Sequence, residues 1–348
     1  MVTHDGGDRL LHALEALEQQ TLPPHAVIVV DSASRDDTAA RVRARFPRVT
    51  LLRLDANAGP SVARNAGLRS AATELVLLVD HDIYLARECL ERLVGARDEW
   101  NAVVACPRIR LHPEREIVQA DGGEPHFVGA LALRNGFRTL GELPPAHVGP
   151  VGAVPSGCLL VHRGRVLEAG GFDELIFFYF EDLEFSLRLR SLGHCFVAVP
   201  SAEAFHDRGA GSPGLAFRGG GHYPPERFHL TLRHRLLALL VHYRVRTLVV
   251  LGPALLLYEL ASVALALRRG LLGAWARAWM WQFRNAPAIR ARRRTVQRAR
   301  TRPDRDILVG GPLPLAPGVI GSRAEGSAVR LFSSLLDAYW RLVRRSIG

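Results

Sequence analysis

The sequence contains no lysine. Each of its 45 basic residues is an arginine, and the formal net charge is +11. A guanidinium stays protonated at any physiological pH, so this charge does not titrate away. The excess is uneven, because the first 200 residues mix both signs whereas residues 233–305 are strongly basic. This distribution predicts a local anionic partner, either a membrane surface or a nucleic acid.

Several signatures are missing as well. The four cysteines lie far apart and form no Cys-x-x-Cys pair, which argues against a zinc cluster and a disulfide framework. No Gly-x-Gly-x-x-Gly or Gly-x-x-x-x-Gly-Lys-Ser/Thr motif is present, which weakens dehydrogenase and P-loop NTPase interpretations. The first ten residues lack an apolar core, so we expect no signal peptide and a reducing, cytoplasmic environment.

What is present is an alternation of short apolar runs and helical segments in the first 80 residues. Residues 26–30 and 75–79 are continuous apolar runs, typical of strands buried on both faces. Helical patterns precede, separate and follow them, which predicts an α/β domain with a mostly parallel sheet. Residues 113–150 are rich in Gly and Pro, and we expect an irregular functional loop there.

Carboxylates follow two of these predicted strands. Asp80 and Asp82 come directly after 75–79, and in an extended chain their side chains would share one side. Open α/β sheets bind ligands at this edge, and paired carboxylates favour Mg2+ or Mn2+ bridged to phosphates. The alternative is a solvated loop. Asp31 has the same placement after 26–30, where it could bind a base or ribose, or simply cap a loop.

Three further sites could carry chemistry. Glu181 and Asp182 follow an aromatic run, where a partly dry carboxylate could act as a general base, although acids are also favoured in any first helical turn. His206 could complete a metal shell or be a surface residue. Arg64 could pair with a diphosphate or lie on a solvated helix face.

The C-terminal part has a different character. Residues 247–267 are long and apolar enough to cross a bilayer, and Glu259 is their only charged residue. A single crossing would put the basic run 290–305 on the far side, against the positive-inside rule. We therefore expect an interfacial or re-entrant hairpin on an anionic surface, with a true span and a buried core helix as alternatives.

Ordered segments carry a family resemblance. After Thr3-His4 and the helix at Leu10, they are 27–38 (VIVVDSASRDDT), 57–67 (NAGPSVARNAG), 77–82 (LLVDHD), 156–161, 170–188 (GGFDELIFFYFEDLEFSLR) and 205–212 (FHDRGAGS). Over residues 3–212 the chain resembles the family 2 glycosyltransferases, above all their rhamnosyltransferase-like members. The resemblance implies an α/β GT-A fold with a Rossmann-like mixed sheet, followed by a helical membrane-associated region.

The resemblance also implies roles for individual residues. Asp182 matches the catalytic base of inverting members, and Mg2+ or Mn2+ is the implied cofactor. Two larger sets are implied. The metal set is Asp80, Asp82 and His206, and the nucleotide-sugar set is Thr3, Asp31, Arg64, Asp80 and Glu181.

The implied activity is inverting, metal-dependent hexosyl transfer from a nucleotide-diphospho-sugar to a hydroxyl of a cell-envelope or lipid-linked glycan. The resemblance favours rhamnose as the sugar and the cytoplasmic face of the cell membrane as the location. An inactive membrane scaffold is the alternative. A nucleic-acid partner is not expected, because the arginines accompany apolar runs and tryptophans.

Boundaries follow from these patterns. We expect a catalytic domain over 1–225, a helical membrane-associated region over 226–306, and a linker with an amphipathic helix over 307–348. Only Met1 and Val2 stand where the family's first strand belongs, so we expect that the true start lies upstream. Ser32 replaces a second acid that many members carry, which bears on base recognition.

Overall fold

The computed structural model describes residues 1–208, 223–315 and 323–348. Most of the Gly-rich segment 208–225, and with it the end of the 205–212 motif, lies outside these ranges, as does part of the Pro/Gly linker. The chain forms two compact units. Unit 1 comprises residues 1–123, 133–189 and 194–208, and unit 2 comprises 124–132, 190–193 and 209–348.

Short strands make up much of the first 206 residues. In chain order they are β1 (Val2–Thr3), β2 (Ile28–Asp31), β3 (Thr50–Arg53), β4 (Leu75–Val79), β5 (Ile83–Leu85), β6 (Val104–Leu111), β7 (Ile117–Ala120), β8 (Gly123–His126), β9 (Ala130–Leu133), β10 (Arg138–Thr139), β11 (Gly149–Pro150), β12 (Cys158–His162) and β13 (Phe196–His206).

Helices separate these strands and then follow them. They are α1 (Gly7–Glu18), α2 (Thr38–Arg45), α3 (Pro60–Ser70), α4 (Cys89–Glu99), α5 (Arg163–Glu168), α6 (Glu181–Ser191), α7 (Pro225–His242), α8 (Val245–Arg268), α9 (Leu272–Arg284), α10 (Ala286–Ala299) and α11 (Arg323–Val343).

The sheet of unit 1 is mixed. Strands β1, β2 and β3 run parallel, and a bridge between Val2 and Asp80 connects β1 to the end of β4. Beyond β4 lies β12, which pairs antiparallel with both β4 and β6, while β13 runs parallel to β6. The mixed GT-A sheet is thus confirmed. The strands of the first 80 residues pair parallel with one another, as expected, but most pairs that involve later strands are antiparallel. Residues 113–150, expected to be irregular, contain short antiparallel strands.

Two apolar clusters cover the faces of this sheet. On one face Leu10 and Leu14 of α1 and Leu93 of α4 are fully buried against the sheet. The other cluster contains the stacked rings of Phe172 and Phe185, whose centroids lie 4.3 Å apart. The helices therefore sandwich the sheet, which fixes its carboxyl edge as a stable platform.

Unit 2 is built around α7, which is buried along much of its length. The short hairpin between β8 and β9 is bonded to the end of α7, where the Tyr243 hydroxyl donates to the carbonyl of Phe127 at 3.2 Å. Phe127 also stacks on Trp340 of α11, with ring centroids 5.0 Å apart. Among the described residues, α8 is the one helix long and apolar enough to cross a membrane, with a mean hydropathy of 2.1 and only 11% of its apolar window buried.

Candidate active site

A buried arginine organises the carboxyl edge of the sheet. Arg64 of α3 is only 2% exposed, and its Nη2 donates to both Asp80 oxygens, at 2.7 and 3.0 Å. Its Nη1 lies 3.6 Å from Glu181 Oε1, and its guanidinium lies over the Phe172 ring. Arg64 therefore does not lie on a solvated helix face. It joins the end of β4 to the start of α6.

The residues before α3 explain how Arg64 is placed. Gly59 has φ of +92°, and a Cβ there would lie 2.1 Å from the carbonyl oxygen of Phe177. Asn65 accepts a hydrogen bond from the Phe172 amide at 2.7 Å and donates to the Phe172 carbonyl at 2.9 Å. The 57–67 and 170–188 segments, separate in sequence, therefore pack against each other. A glycine is required at position 59 because the two backbones approach so closely.

The turn that leads into α6 is strained. Tyr179 and Phe180 have φ of 65° and 70°, a left-handed conformation that is costly for aromatic residues. Such strain persists only where the surrounding structure enforces it, and it concentrates at functional sites. Here it sets the direction from which Glu181 and Asp182 enter the site.

Burial raises the pKa of Asp182 to about 7, and the charge of Glu181 acts in the same direction. Burial also raises the pKa of Glu181, against the opposing charge of Arg64. The Leu183 amide donates to Asp182 Oδ1 at 2.7 Å and so orients the carboxylate. A carboxylate that titrates near neutral pH is suited to accept a proton during a reaction.

Asp82 and His206 form a second pair at this edge. His206 Nε2 lies 3.3 Å from Asp82 Oδ2, and His206 Nδ1 lies 2.7 Å from Gln119 Oε1. Burial opposes ionisation of Asp82, but the hydrogen bond and charge of protonated His206 outweigh it and lower the pKa to about 2. When the ring is neutral and Nδ1 donates to Gln119, Nε2 turns a lone pair toward Asp82.

The two aspartates of the 80–82 motif do not share partners. Residues 81–82 form a turn, closed by the Ile83 amide donating to the Asp80 carbonyl at 3.1 Å. The expectation of an extended segment is therefore wrong, because β4 ends at Val79. Asp80 bonds Arg64, whereas Asp82 faces His206. In the described part of the chain no cluster of three His, Cys, Asp or Glu side chains could hold a metal by itself.

The pair of Asp82 and His206 nevertheless fits a divalent cation. A carboxylate oxygen and an imidazole nitrogen face one another, and the second imidazole nitrogen is held by an amide oxygen, as metal-binding histidines require. Mg2+ and Mn2+ commonly take one or two carboxylates and complete their shell with substrate phosphates and water. Asp82 and His206 therefore supply part of a cation site, and the oxygens of a bound diphosphate would complete it.

Thr3 and Asp31 lie beside each other at the ends of β1 and β2. Thr3 Oγ1 and Asp31 Oδ2 are buried without a hydrogen-bond partner. The second Asp31 oxygen accepts from the Ser34 amide at 2.8 Å, and Arg53 Nη1 lies 3.4 Å from Oδ2. A buried oxygen without a hydrogen-bond donor is costly, so Thr3 Oγ1 and Asp31 Oδ2 are available to accept from a ligand.

The structure thus groups the predicted residues in three neighbouring sets. One is Arg64 with Asp80, Glu181 and Asp182, the second Asp82 with His206, and the third Thr3 with Asp31. Sequence reasoning missed Gln119 and Arg53. Gln119 of β7 and His206 of β13 meet because both strands pair with β6, so no local pattern indicated the contact.

The comparisons with known proteins agree with this geometry. Residues 1–136 match the model of glycosyl transferase family 2. The chain is 28% identical over 229 residues to an N-acetylglucosaminyl-diphospho-decaprenol L-rhamnosyltransferase of Mycobacterium tuberculosis, covering 60% of this chain and 74% of that protein. It is 29% identical over 215 residues to the pre-mycofactocin glycosyltransferase of the same species, covering 61% of this chain and 42% of that protein.

A solved structure supports the fold. The crystal structure of GalNAc-T7 with UDP, GalNAc and Mn2+ superimposes with a TM-score of 0.54 at 17% identity, covering 69% of this chain and 46% of that one. At this identity the likeness shows the fold alone. With the family match and the curated relatives, it leads to one conclusion: the chain carries a family 2 glycosyltransferase domain of the GT-A type, and it is a glycosyltransferase.

Proposed function

We propose that this chain is an inverting, metal-dependent transferase that moves a sugar from a nucleotide-diphosphate donor to a hydroxyl of a cell-envelope or lipid-linked glycan. The observation that carries the proposal is Asp182, a carboxylate with its pKa raised to about 7 beside Glu181 and Arg64. The name of the mycobacterial relative supports rhamnose as the sugar and a polyprenol-linked acceptor.

Asp182 is the proposed base. Its carboxylate accepts the proton of the acceptor hydroxyl as that oxygen bonds to the anomeric carbon, and the bond from this carbon to the donor diphosphate breaks. The diphosphate departs with the electron pair from the face opposite the attack. A single in-line displacement inverts the anomeric centre.

Asp82 and His206 are the residues that would hold Mg2+ or Mn2+, while Asp80 stays paired with Arg64 beside them. When bound, the cation would neutralise charge on the departing diphosphate. The chain's own residues position the rest of the donor. Thr3 and Asp31 present their unsatisfied oxygens to the nucleoside, while Arg64 orients Asp80 and Glu181.

We also propose that the chain works at the cytoplasmic face of the cell membrane. Two features support this placement, the exposed apolar helix α8 and the arginine excess around it. A lipid-linked acceptor would be reached most directly by an enzyme held at that surface.

A donor-release assay tests the proposed function. Purified chain would be mixed with UDP-, dTDP- and GDP-sugars and Mn2+ or Mg2+, and release of the nucleotide diphosphate would be measured. We expect release from one donor, dependent on metal, lost in Asp82→Ala and strongly reduced in Asp182→Asn. Asp98→Asn, at an exposed position of α4, is the matched control and should behave as the parent.

The alternative, an inactive membrane scaffold, makes the opposite prediction. It requires that no donor is cleaved and that no nucleotide binds by calorimetry. Binding without release would point instead to a strict need for acceptor, which a mixture of polyprenol-linked glycans would then supply.

A further inference from the structure

We propose that α8 lies flat on the surface of an anionic bilayer, bound back to α7 and α9 through Glu259, and does not cross the membrane. The proposal rests on the proposed membrane attachment and specifies how it is made. It concerns unit 2 alone, where α7, α8, α9 and α11 all belong.

Glu259 is the one acid in the apolar stretch of α8, and it is fully engaged. Its Oε1 accepts from the indole nitrogens of Trp275 and Trp279 on α9, each at 2.8 Å. Its Oε2 lies 3.2 Å from Arg235 Nη1 on α7. A single carboxylate therefore fixes the middle of α8 to two neighbouring helices.

Arg235 makes this attachment hard to release. It is 4% exposed, it donates from Nε to the Val128 carbonyl at 2.7 Å, and its guanidinium lies 4.1 Å from the centre of the Tyr258 ring. If α8 left to cross a bilayer, Glu259 would enter hydrocarbon and Arg235 would stay buried without its partner. Removing one partner of a buried ion pair is strongly unfavourable.

The face of α8 that lies opposite its buried residues Thr247, Leu251 and Ala254 is apolar and exposed. Val249, Leu256, Leu260 and Leu267 are 58–70% exposed, and their spacing of seven, four and seven residues puts them on one side of the helix. On α11, which contacts α8 through the bond from Tyr339 to the Val250 carbonyl, Leu331, Leu335 and Leu342 repeat the pattern and are 56–80% exposed.

Charge identifies the occupant of this face as an anionic lipid surface. Exposed arginines stand at both ends of α8 (Arg246 and Arg268) and on α9 (Arg277 and Arg284). Arg268 also pairs with Glu325 and Arg277 with Glu226. A crossing helix would carry one end of α8 into the far leaflet, whereas a helix in the plane keeps both ends, with Arg246 and Arg268, on the side of the lipid phosphates. Its apolar row then enters the boundary between headgroups and acyl chains.

Vesicle flotation with site-specific labelling tests the proposal. The purified full chain is added to preformed vesicles of phosphatidylglycerol and phosphatidylcholine, or of phosphatidylcholine alone. We expect flotation with the anionic vesicles. In Arg246→Cys and Arg268→Cys variants, a membrane-impermeant maleimide added outside should label both positions equally. The unsubstituted chain, whose cysteines are buried or partly buried, gives the background.

Two variants separate the apolar face from general stickiness. Leu260→Glu should lower the bound fraction about tenfold, the effect of replacing one inserted leucine by a charge. Leu22→Glu in unit 1, also an exposed leucine, should not change it. Labelling at position 268 only after detergent would overturn the proposal in favour of a span. If the chain did not float with the anionic vesicles, the proposal would also be wrong. Light scattering would then show whether the chain is a dimer, in which case a second copy of the chain covers the apolar face.

The outcome does not depend on the proposed chemistry. Flotation and labelling use no donor, so a chain that floats but releases no nucleotide diphosphate would contradict the proposed function alone. A chain that releases nucleotide diphosphate but does not float would contradict this inference alone.

Discussion

Arg64 and Asp80 are joined by one guanidinium nitrogen that donates to both carboxylate oxygens, within 3.0 Å. Because the same guanidinium also faces Glu181, one buried cation balances carboxylates from two different elements. Its charge lowers the pKa of Asp182 as well, although burial dominates there. The proton affinity of the proposed base is therefore set partly by a residue of α3.

Replacing Arg64 should shift the pH dependence of transfer. In Arg64→Gln the positive charge is lost, so the pKa of Asp182 should rise further above about 7. The acid limb of kcat/KM against pH should then move to higher pH. Arg69→Gln, on the exposed side of the same helix, is the control. An unchanged acid limb in Arg64→Gln would show that Asp182 does not govern it.

Asp182→Asn should trade activity for stability. The folded chain raises this carboxyl's pKa from 3.8 to about 7, so its contribution to stability is present below the unfolded value and is lost as pH rises through about 7. The variant should gain roughly 1–3 kcal/mol over the parent at about pH 8, measured by urea unfolding. Little gain should remain at about pH 4, and transfer should fall by ~10²–10⁴. If the variant and the parent were equally stable at both pH values, burial would not be what raises the pKa of Asp182.

Gln119 should act through His206. In Gln119→Leu the imidazole loses the amide oxygen that orients it, so Mn2+ affinity in the presence of nucleotide should weaken ~10–100-fold. Electron paramagnetic resonance of free Mn2+ measures this without turnover. Gln119→Glu keeps an acceptor oxygen and should retain most of the affinity. If Gln119→Leu bound Mn2+ like the parent while Asp82→Ala did not, Gln119 would not position His206 for metal binding.

Two glycines form a matched pair. A Cβ at Gly59 would lie 2.1 Å from the Phe177 carbonyl oxygen, and its φ is +92°, so Gly59→Ala should displace the 170–188 segment and destabilise unit 1. Gly95 lies inside α4 with open space around it, and Gly95→Ala should stabilise by ~0.5–1 kcal/mol. Thermal unfolding compares the two. If the two variants unfolded at similar midpoint temperatures, the close approach of the two backbones at Gly59 would not contribute to stability.

Local pattern was enough for elements whose own residues decide their state. The strand at 75–79 has its predicted bounds because its residues form a continuous apolar run. The helix that begins at Glu181 was likewise indicated by its acidic first turn. For the site, the residue types at strand ends and the family resemblance named residues that the structure brings close together.

Pairing between distant residues was not predictable. The apolar spacing of α3 cannot show that the charged Arg64 side chain is buried, because its partner Asp80 lies at the end of β4, outside the helix. The extended geometry assumed for residues 80–82 failed for a similar reason, since a turn there depends on where β4 stops pairing. Strand β12 enters the sheet antiparallel between β4 and β6, an order fixed by tertiary packing rather than by its own sequence.

The hairpin over residues 124–132 interrupts unit 1 in sequence yet belongs with the C-terminal helices. Cutting the chain after Arg208 would therefore not release a self-sufficient catalytic fragment. Phe127, fully buried, would lose the ring of Trp340 and the hydroxyl of Tyr243 and would be left in water. The fragment would expose this apolar hairpin and tend to aggregate. We therefore expect that the shortest soluble form of this enzyme includes α11, which carries Trp340.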